Sequence, residues 1–121
     1  MYKVQEKMNL YASNGIKIPE IFCGTDYRTL NNEELTKEYI YQALKAGFRA
    51  IDTAWMYRNE HLIKEVLEKC YSEGWLNRSD IFLQSKVSHI RQGYNYTLEI
   101  FQEHINKLGT DYLRLFNYVL Y

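Results

Sequence analysis

The sequence predicts an α/β fold with a parallel sheet, because short apolar segments alternate with longer amphipathic ones along the chain. The longer segments carry apolar residues at every third or fourth position, which is typical of helices. Each of them ends close to a glycine, a common residue just after a helix. An order of strand, helix and strand at this spacing indicates parallel pairing with right-handed crossovers.

A β-hairpin is predicted over residues 8–18. The segment Ser13-Asn14-Gly15 lies between two half-apolar runs, and Asn-Gly is a strong hairpin signal because both turn residues then adopt positive φ. The only proline, Pro19, follows directly and ends the second strand.

The remaining chain is predicted to contain four strands and three helices. The strands are expected at residues 21–23, 48–52, 80–86 and from 112 onward. The helices are expected to begin at Asn31 or Asn32, at Asn59, and at Asn95 or Thr97, since these residues can cap a helix. For the third helix the spacing predicts an inward face of Leu98, Phe101, Ile105 and Leu108. This pattern is the N-terminal half of a (β/α)8 barrel, whose full length is about 250 residues.

Length and composition predict a single domain over residues 1–121. The chain is 46% hydrophobic and 25% charged, with no net charge, which is ordinary for a soluble protein. The absence of a basic surplus argues against nucleic acid as a partner, and no apolar stretch is long enough to predict a membrane span. The N-terminus has no apolar signal core, so a cytoplasmic location is expected.

No metal site is predicted. The three histidines, His61, His89 and His104, are scattered and stand at no ligand spacing from a cysteine or carboxylate. They are expected to be surface or partly buried residues. The two cysteines, Cys23 and Cys70, are expected to be free and buried, as in a reduced compartment.

Three residues that can carry chemistry follow the ends of neighbouring strands. Asp52 ends the second strand, Tyr57 lies in the loop after it, and Lys86 ends the third strand. A lysine ammonium favours the phenolate and so makes the phenol a stronger acid, while a carboxylate can hold the lysine. Such a phenol can protonate an alkoxide that forms when hydride reaches a carbonyl, and the hydride must come from a cofactor. Each residue alone could equally be an ordinary surface residue.

The segment GFRAIDTAWMYRNE, at 47–60, resembles the signature of the aldo-keto reductases almost position by position. The same family is similar to this chain in SNGIKIP at 13–19, in Gly24-Thr25, in FLQSK at 82–86 and in INKLGTDYL at 105–113. The resemblance covers roughly residues 9 to 113 without a large gap.

This resemblance implies an NADPH-dependent enzyme that reduces small aldehydes or ketones to alcohols. It implies that Tyr57 is the proton donor, that Lys86 assists it, and that Asp52 pairs with Lys86. Gly24, Thr25 and Asp52 are then expected near the nicotinamide and its ribose. Trp55 is expected to wall the substrate pocket, and a packed loop aromatic is the alternative interpretation.

The sequence departs from the family at two positions. Asp26 stands where an aromatic residue usually follows Gly-Thr, which predicts a different loop or pocket packing. Val119 stands where the family has the histidine that hydrogen-bonds the substrate carbonyl. We therefore expect a domain truncated in or after its fourth barrel strand, and inactive by itself. The alternative is a non-catalytic half-barrel that self-associates through its open sheet edges.

Overall fold

The computed structural model describes residues 9–118, which form a hairpin, a parallel sheet and three helices. The hairpin strands are β1 (Leu10–Tyr11) and β2 (Lys17–Ile18); the sheet strands are β3 (Cys23–Gly24), β4 (Ala50–Asp52), β5 (Phe82–Val87) and β6 (Leu115–Tyr118); and the helices are α1 (Glu33–Lys45), α2 (Glu60–Ser72) and α3 (Tyr94–Leu108). Within residues 9–118, no helix combines the length and apolar character needed to cross a membrane.

A hairpin forms within the predicted residues 8–18, of which Met8 lies outside the described residues, but its turn is of another type. Leu10 pairs with Ile18, and the backbone N–H of Ala12 donates to Ile16 O at 2.8 Å, so the loop has three residues. Only Gly15 adopts a positive φ, of 83°, whereas Asn14 does not. The prediction of positive φ at both turn residues is therefore wrong. Three-residue loops with one left-handed glycine are a common hairpin connection, and a glycine there carries no steric cost.

The predicted α/β class, with four parallel strands and three helices, is confirmed. The four strands are all parallel and lie in the order β3-β4-β5-β6, so β3 and β6 form the two edges. The first sheet strand is shorter than expected, because Ile21 lies outside β3 and is exposed. It is the later residues, Cys23 and Gly24, that pair with β4.

The three helices lie close to the predicted ranges, but only the cap of α1 is as predicted. The side chain of Asn59 makes no capping hydrogen bond to α2, and α3 begins at Tyr94 after Gly93, before the predicted Asn95 or Thr97. The side chain of Asn32 accepts a hydrogen bond from Leu35 N at 3.0 Å and so caps α1. Gly109 follows α3 at a φ of 64° and ends it. One face of each helix contributes to a core that lies against β4 and β5, whose members include Ile40, Leu44, Ile51, Ile63, Val66, Leu67, Cys70, Leu83 and Leu108.

The buried face of α3 differs from the predicted one. Its fully buried positions are Ile100, His104 and Leu108, whereas Leu98 is 53% exposed. Phe101 and Ile105 lie at the margin of the buried face and are partly exposed. The apolar spacing placed the face too far toward Leu98 because it treated the histidine as a polar outer residue. With His104 included, the buried residues of α3 fall at every fourth position, namely 100, 104 and 108.

We predict that Ile100→Ala lowers the free energy of unfolding by about 2–5 kcal/mol, because it removes a fully buried side chain and leaves a cavity. Leu98→Ala is the matched control on the same helix, and it should change the free energy of unfolding by less than about 0.5 kcal/mol. Urea unfolding of both variants measures the difference. Equal losses in the two variants would contradict this assignment of the buried face.

Candidate active site

The register of β4 and β5 places three polar side chains together at one end of the sheet. Asp52 pairs with Gln84 across the two parallel strands, and Lys86 lies two residues further along β5. Side chains two residues apart in a strand share a face. The intervening Ser85 is fully buried on the other face, where the helices pack. The carboxyl ends of β4 and β5 therefore direct an acid, an amide and an amine to the same place.

Lys86 is surrounded by oxygen acceptors. Its ammonium Nζ donates to Asp52 Oδ1 at 2.6 Å and to the backbone oxygen of Thr53 at 3.1 Å. It also lies 3.4 Å from Tyr57 Oη. The ion pair is largely shielded, since the side chains of Lys86 and Asp52 are 18% and 23% exposed. Attraction between the charges is therefore less screened than in a surface pair.

Tyr57 reaches Lys86 from a short 3₁₀ turn, Trp55–Tyr57, that follows β4. The turn is closed by a hydrogen bond from Tyr57 N to Ala54 O at 3.0 Å. Arg58, the next residue, has a φ of 51° and turns the chain toward α2. The ring of Tyr57 also lies 5.5 Å from the guanidinium carbon of Arg28. Tyr57 thus lies near one cationic group from the loop after β3, Arg28, and one from strand β5, Lys86.

The three residues predicted to act together are thus brought together, since Asp52 and Tyr57 both lie within hydrogen-bond distance of the Lys86 ammonium. Gln84 is a fourth member that the sequence analysis missed. Its Nε2 donates to Asp52 Oδ1 at 2.8 Å, the same oxygen that Lys86 contacts. A polar residue two positions before the lysine in a strand was the available signal, because it had to share the face of Lys86.

Gly24 and Thr25 lie beside Asp52 but in different environments. Gly24 pairs with Asp52 in the sheet, is exposed, and has open space where a Cβ would stand. Thr25 is fully buried, and its hydroxyl donates to Asp52 O at 2.9 Å. Asn59 then donates to Thr25 O at 2.5 Å and accepts from Thr53 Oγ1 at 3.0 Å. Thr25 therefore supports the backbone of Asp52, whereas Gly24 leaves the surface above the strand end accessible.

Trp55 stands two residues before Tyr57 in the same 3₁₀ turn. It lines a cavity of about 450 Å³ together with Arg58, Glu60, His61 and Lys107. Tyr57 instead lines a separate cavity of about 280 Å³ with residues of the loop before α1. Within residues 9–118, Trp55 and Tyr57 thus face different cavities, and the place of Trp55 in a substrate pocket stays a prediction.

Asp26, the first departure from the family pattern, forms an ion pair with Arg28 in the loop after β3. Both carboxylate oxygens accept from the guanidinium, at 2.7 and 2.9 Å. The hydrogen bond from Arg28 holds the pKa of the Asp26 carboxyl below its usual range, although partial burial opposes this shift. This ion pair restrains the Arg28 guanidinium, which lies beside the ring of Tyr57.

The second departure, Val119, lies outside the described residues.

Within the described range, no three side chains of histidine, cysteine, aspartate or glutamate are grouped closely enough to hold a metal ion. Cys23 and Cys70 are both buried and free.

The sequence model of the aldo/keto reductase family matches residues 21–118. The chain belongs to this family. The match spans all four strands of the parallel sheet and includes Asp52, Tyr57 and Lys86.

Relatives in the aldo/keto reductase family are similar to the chain over most of its length. An uncharacterized oxidoreductase of Bacillus subtilis (strain 168), YtbE, is 34% identical over 113 residues, which cover 93% of this chain and 39% of that protein. The glyoxal reductase of the same organism is 35% identical and matches 85% of this chain and 35% of its own length. The chain therefore spans less than two fifths of the length of these relatives.

A solved structure shows the same arrangement of elements. The Bombyx mori aldo-keto reductase in complex with NADP is 26% identical and superposes with a TM-score of 0.83. The superposition covers 90% of this chain and 36% of the Bombyx mori chain. The predicted resemblance to the aldo-keto reductases is thus confirmed, and the described fold corresponds to one part of the fold of these enzymes.

We predict that Asp26→Asn lowers the free energy of unfolding at pH 7 by less than about 1 kcal/mol, because both charges of the pair are well exposed. The folded-state pKa of Asp26 is depressed, so its stabilisation is present above the unfolded-state value of about 3.9 and is lost as the pH falls through the folded-state value. The difference in unfolding free energy between the two proteins should therefore narrow as the pH falls below about 3.9.

Urea unfolding of the unmodified chain and the Asp26→Asn variant at pH 7 and in acid checks this expectation. Raising the ionic strength at pH 7 to about 1 M, where the Debye length is about 3 Å, should also narrow the gap. A gap that is the same in acid and at pH 7 would mean that Asp26 does not act through its charge.

Proposed function

We propose that this chain forms part of an NADPH-dependent aldo-keto reductase that reduces small aldehydes or ketones to alcohols, with Tyr57 as the proton donor. The observation that supports this most is the Lys86 ammonium, which lies 2.6 Å from Asp52 Oδ1 and 3.4 Å from Tyr57 Oη. Family membership adds support, as does the NADP complex of the Bombyx mori relative.

The chemistry begins with a carbonyl oxygen beside Tyr57 Oη. A nicotinamide cofactor, when bound beside Gly24 and Asp52, would supply the hydride. As the hydride reaches the carbonyl carbon, negative charge builds on the carbonyl oxygen, and Tyr57 donates its proton there to complete the alcohol. The phenolate that remains is stabilised by the Lys86 ammonium, which Asp52 keeps in place. A proton from solvent then restores the phenol.

The residues beside Asp52 fit a cofactor at this strand end. Gly24 has no side chain, and the open space above it allows a flat ring to lie close to the backbone. The partly exposed Asp52 carboxylate can accept a hydrogen bond from a ribose hydroxyl. Thr25 contributes indirectly, since its buried hydroxyl is bonded to Asp52 O. We therefore assign Gly24 and Asp52 to cofactor contact and Thr25 to the support of Asp52.

Trp55 is proposed as a wall of the substrate pocket, on the strength of the family resemblance alone. The inactivity of these 121 residues in isolation and the cytoplasmic location also stay predictions. The alternative of a non-catalytic, self-associating half-barrel has no supporting observation among the described residues, so the reductase is the function we propose.

A graft tests the proposed roles without relying on the isolated chain. Residues 21–118 would replace the matching segment of the Bacillus subtilis glyoxal reductase, and NADPH oxidation with glyoxal would be measured. Tyr57→Phe in this graft should lower kcat by about 10²–10⁴-fold, the usual contribution of a general acid. Lys86→Met should also lower kcat, because the phenolate then lacks the neighbouring ammonium.

Tyr94→Phe is the matched control in the same graft, since Tyr94 is 81% exposed on α3 and loses only a phenolic hydroxyl. Its kcat should stay within about twofold of the unmodified graft, as expected for a surface substitution. An active graft in which Tyr57→Phe behaves like Tyr94→Phe would rule out Tyr57 as the proton donor.

A further inference from the structure

A buried polar pair lies directly behind the strand that carries Lys86. His104 of α3 is 0% exposed and Glu60 at the start of α2 is 2% exposed. Their side chains meet at 2.5 Å, between His104 Nδ1 and Glu60 Oε2. Buried groups of this kind are costly unless they are hydrogen-bonded, so the pair fixes one local geometry.

The partners of the His104 ring determine where its protons are. His104 Nε2 lies 3.3 Å from the backbone oxygen of Lys86. A carbonyl oxygen only accepts hydrogen bonds, so Nε2 must carry a hydrogen and donate it. The other ring nitrogen, Nδ1, is hydrogen-bonded to Glu60 Oε2 at 2.5 Å. Glu60 thereby sets the ring orientation that directs Nε2–H at Lys86 O.

The same cluster includes Ser85, so serine, histidine and glutamate meet here as in a hydrolase triad. The geometry excludes that reading. Ser85 Oγ lies 3.3 Å from Nδ1, the ring nitrogen that already faces Glu60, whereas a triad places its serine and its acid on opposite nitrogens. Ser85 is also fully buried and cannot reach a substrate.

The backbone of Lys86 needs such an anchor. Pairing of β4 with β5 extends only to Gln84, whereas β6 continues beside Lys86 and Val87. Beyond Gln84 the strand end is thus held by one neighbouring strand and by the hydrogen bond from His104. A rotation of the Lys86 peptide would move the side chain that must meet both Asp52 and Tyr57.

We propose that His104, oriented by Glu60, is a positioning residue for Lys86, an inference that rests on the proposed reductase function. The start of α2 then positions both members of the ion pair. Asn59 supports Asp52 through Thr25, and Glu60, the next residue, supports Lys86 through His104. This gives a physical role to the Asn59-Glu60 step that ends the 47–60 motif.

Two variants of His104 separate positioning from simple packing. The amide nitrogen of Gln stands near the place of Nε2, so His104→Gln keeps a donor for Lys86 O. The amide nitrogen of Asn stands near the place of Nδ1, so His104→Asn keeps only the contact with Glu60. NMR of the 121-residue chain would follow the carbonyl ¹³C shift of Lys86 and the nuclear Overhauser contact between Lys86 and the Tyr57 ring.

We expect His104→Asn to lose both the hydrogen-bonded carbonyl shift and the Lys86–Tyr57 contact, and His104→Gln to keep both. Ser85→Ala is the control, because it removes a neighbour of Nδ1 and leaves the bond to Lys86 O. If both His104 variants lower stability but keep the Lys86–Tyr57 contact, His104 is only a packing residue and the proposal is wrong.

Should His104→Asn fail to fold, the unmodified chain decides the question. A scalar coupling across the hydrogen bond from His104 Nε2–H to the Lys86 carbonyl is expected, and its absence would overturn the proposal. Failure of the reductase function is distinguishable, because it would leave these NMR results intact while Tyr57→Phe in the graft stayed active. If the NMR results fail while Tyr57→Phe inactivates the graft, only the role of His104 is wrong and the reductase function stands.

Discussion

The parallel pairing of β4 with β5 is the constraint on which the rest of the candidate site depends. It sets Asp52 beside Gln84 and leaves Lys86 on the same face, two residues on. A slip of one residue would exchange the two faces of β5. Lys86 would then point into the helical layer and Ser85 toward the site. The register is strongly specified, because Ile51 and Leu83 must both stay in the core.

Because α2 is packed on the core, the strands also determine where the loop before α2 lies. Ile63 and Leu67 anchor the helix on the core, so its first residues hold a fixed position relative to β4 and β5. Asn59 and Glu60 use that position to satisfy buried backbone and side-chain groups. The apolar core therefore determines where the site lies, and the buried hydrogen bonds determine how its side chains are oriented.

The sequence predicted the parts of the fold that follow from local patterns. Strand order and the meeting of Asp52 with Lys86 follow from the alternation of elements, and the start of α1 follows from its cap, Asn32. The turn at Asn14 could not be predicted, since the choice between two and three loop residues depends on which flanking residues pair. Gln84 and His104 were missed for different reasons. For Gln84, the signal of its place two residues before Lys86 was not used. A polar residue on a core-facing helix, such as His104, acquires meaning only when its partner, Glu60, is known.

The phenol and the ion pair are held by different kinds of element, and this difference matters for the proposed chemistry. Lys86 and Asp52 stand on paired strands, whereas Tyr57 stands on a 3₁₀ turn that ends in the left-handed Arg58. A non-glycine residue in that conformation costs about 1–2 kcal/mol, which the contacts of the loop must offset. The Lys86–Tyr57 distance, 3.4 Å, is also long beside the 2.6 Å ion pair. Catalytic hydrogen bonds often tighten only when substrate is bound. The strands thus hold the charged pair, and in the proposed function the loop is the part that can adjust Tyr57 to a carbonyl.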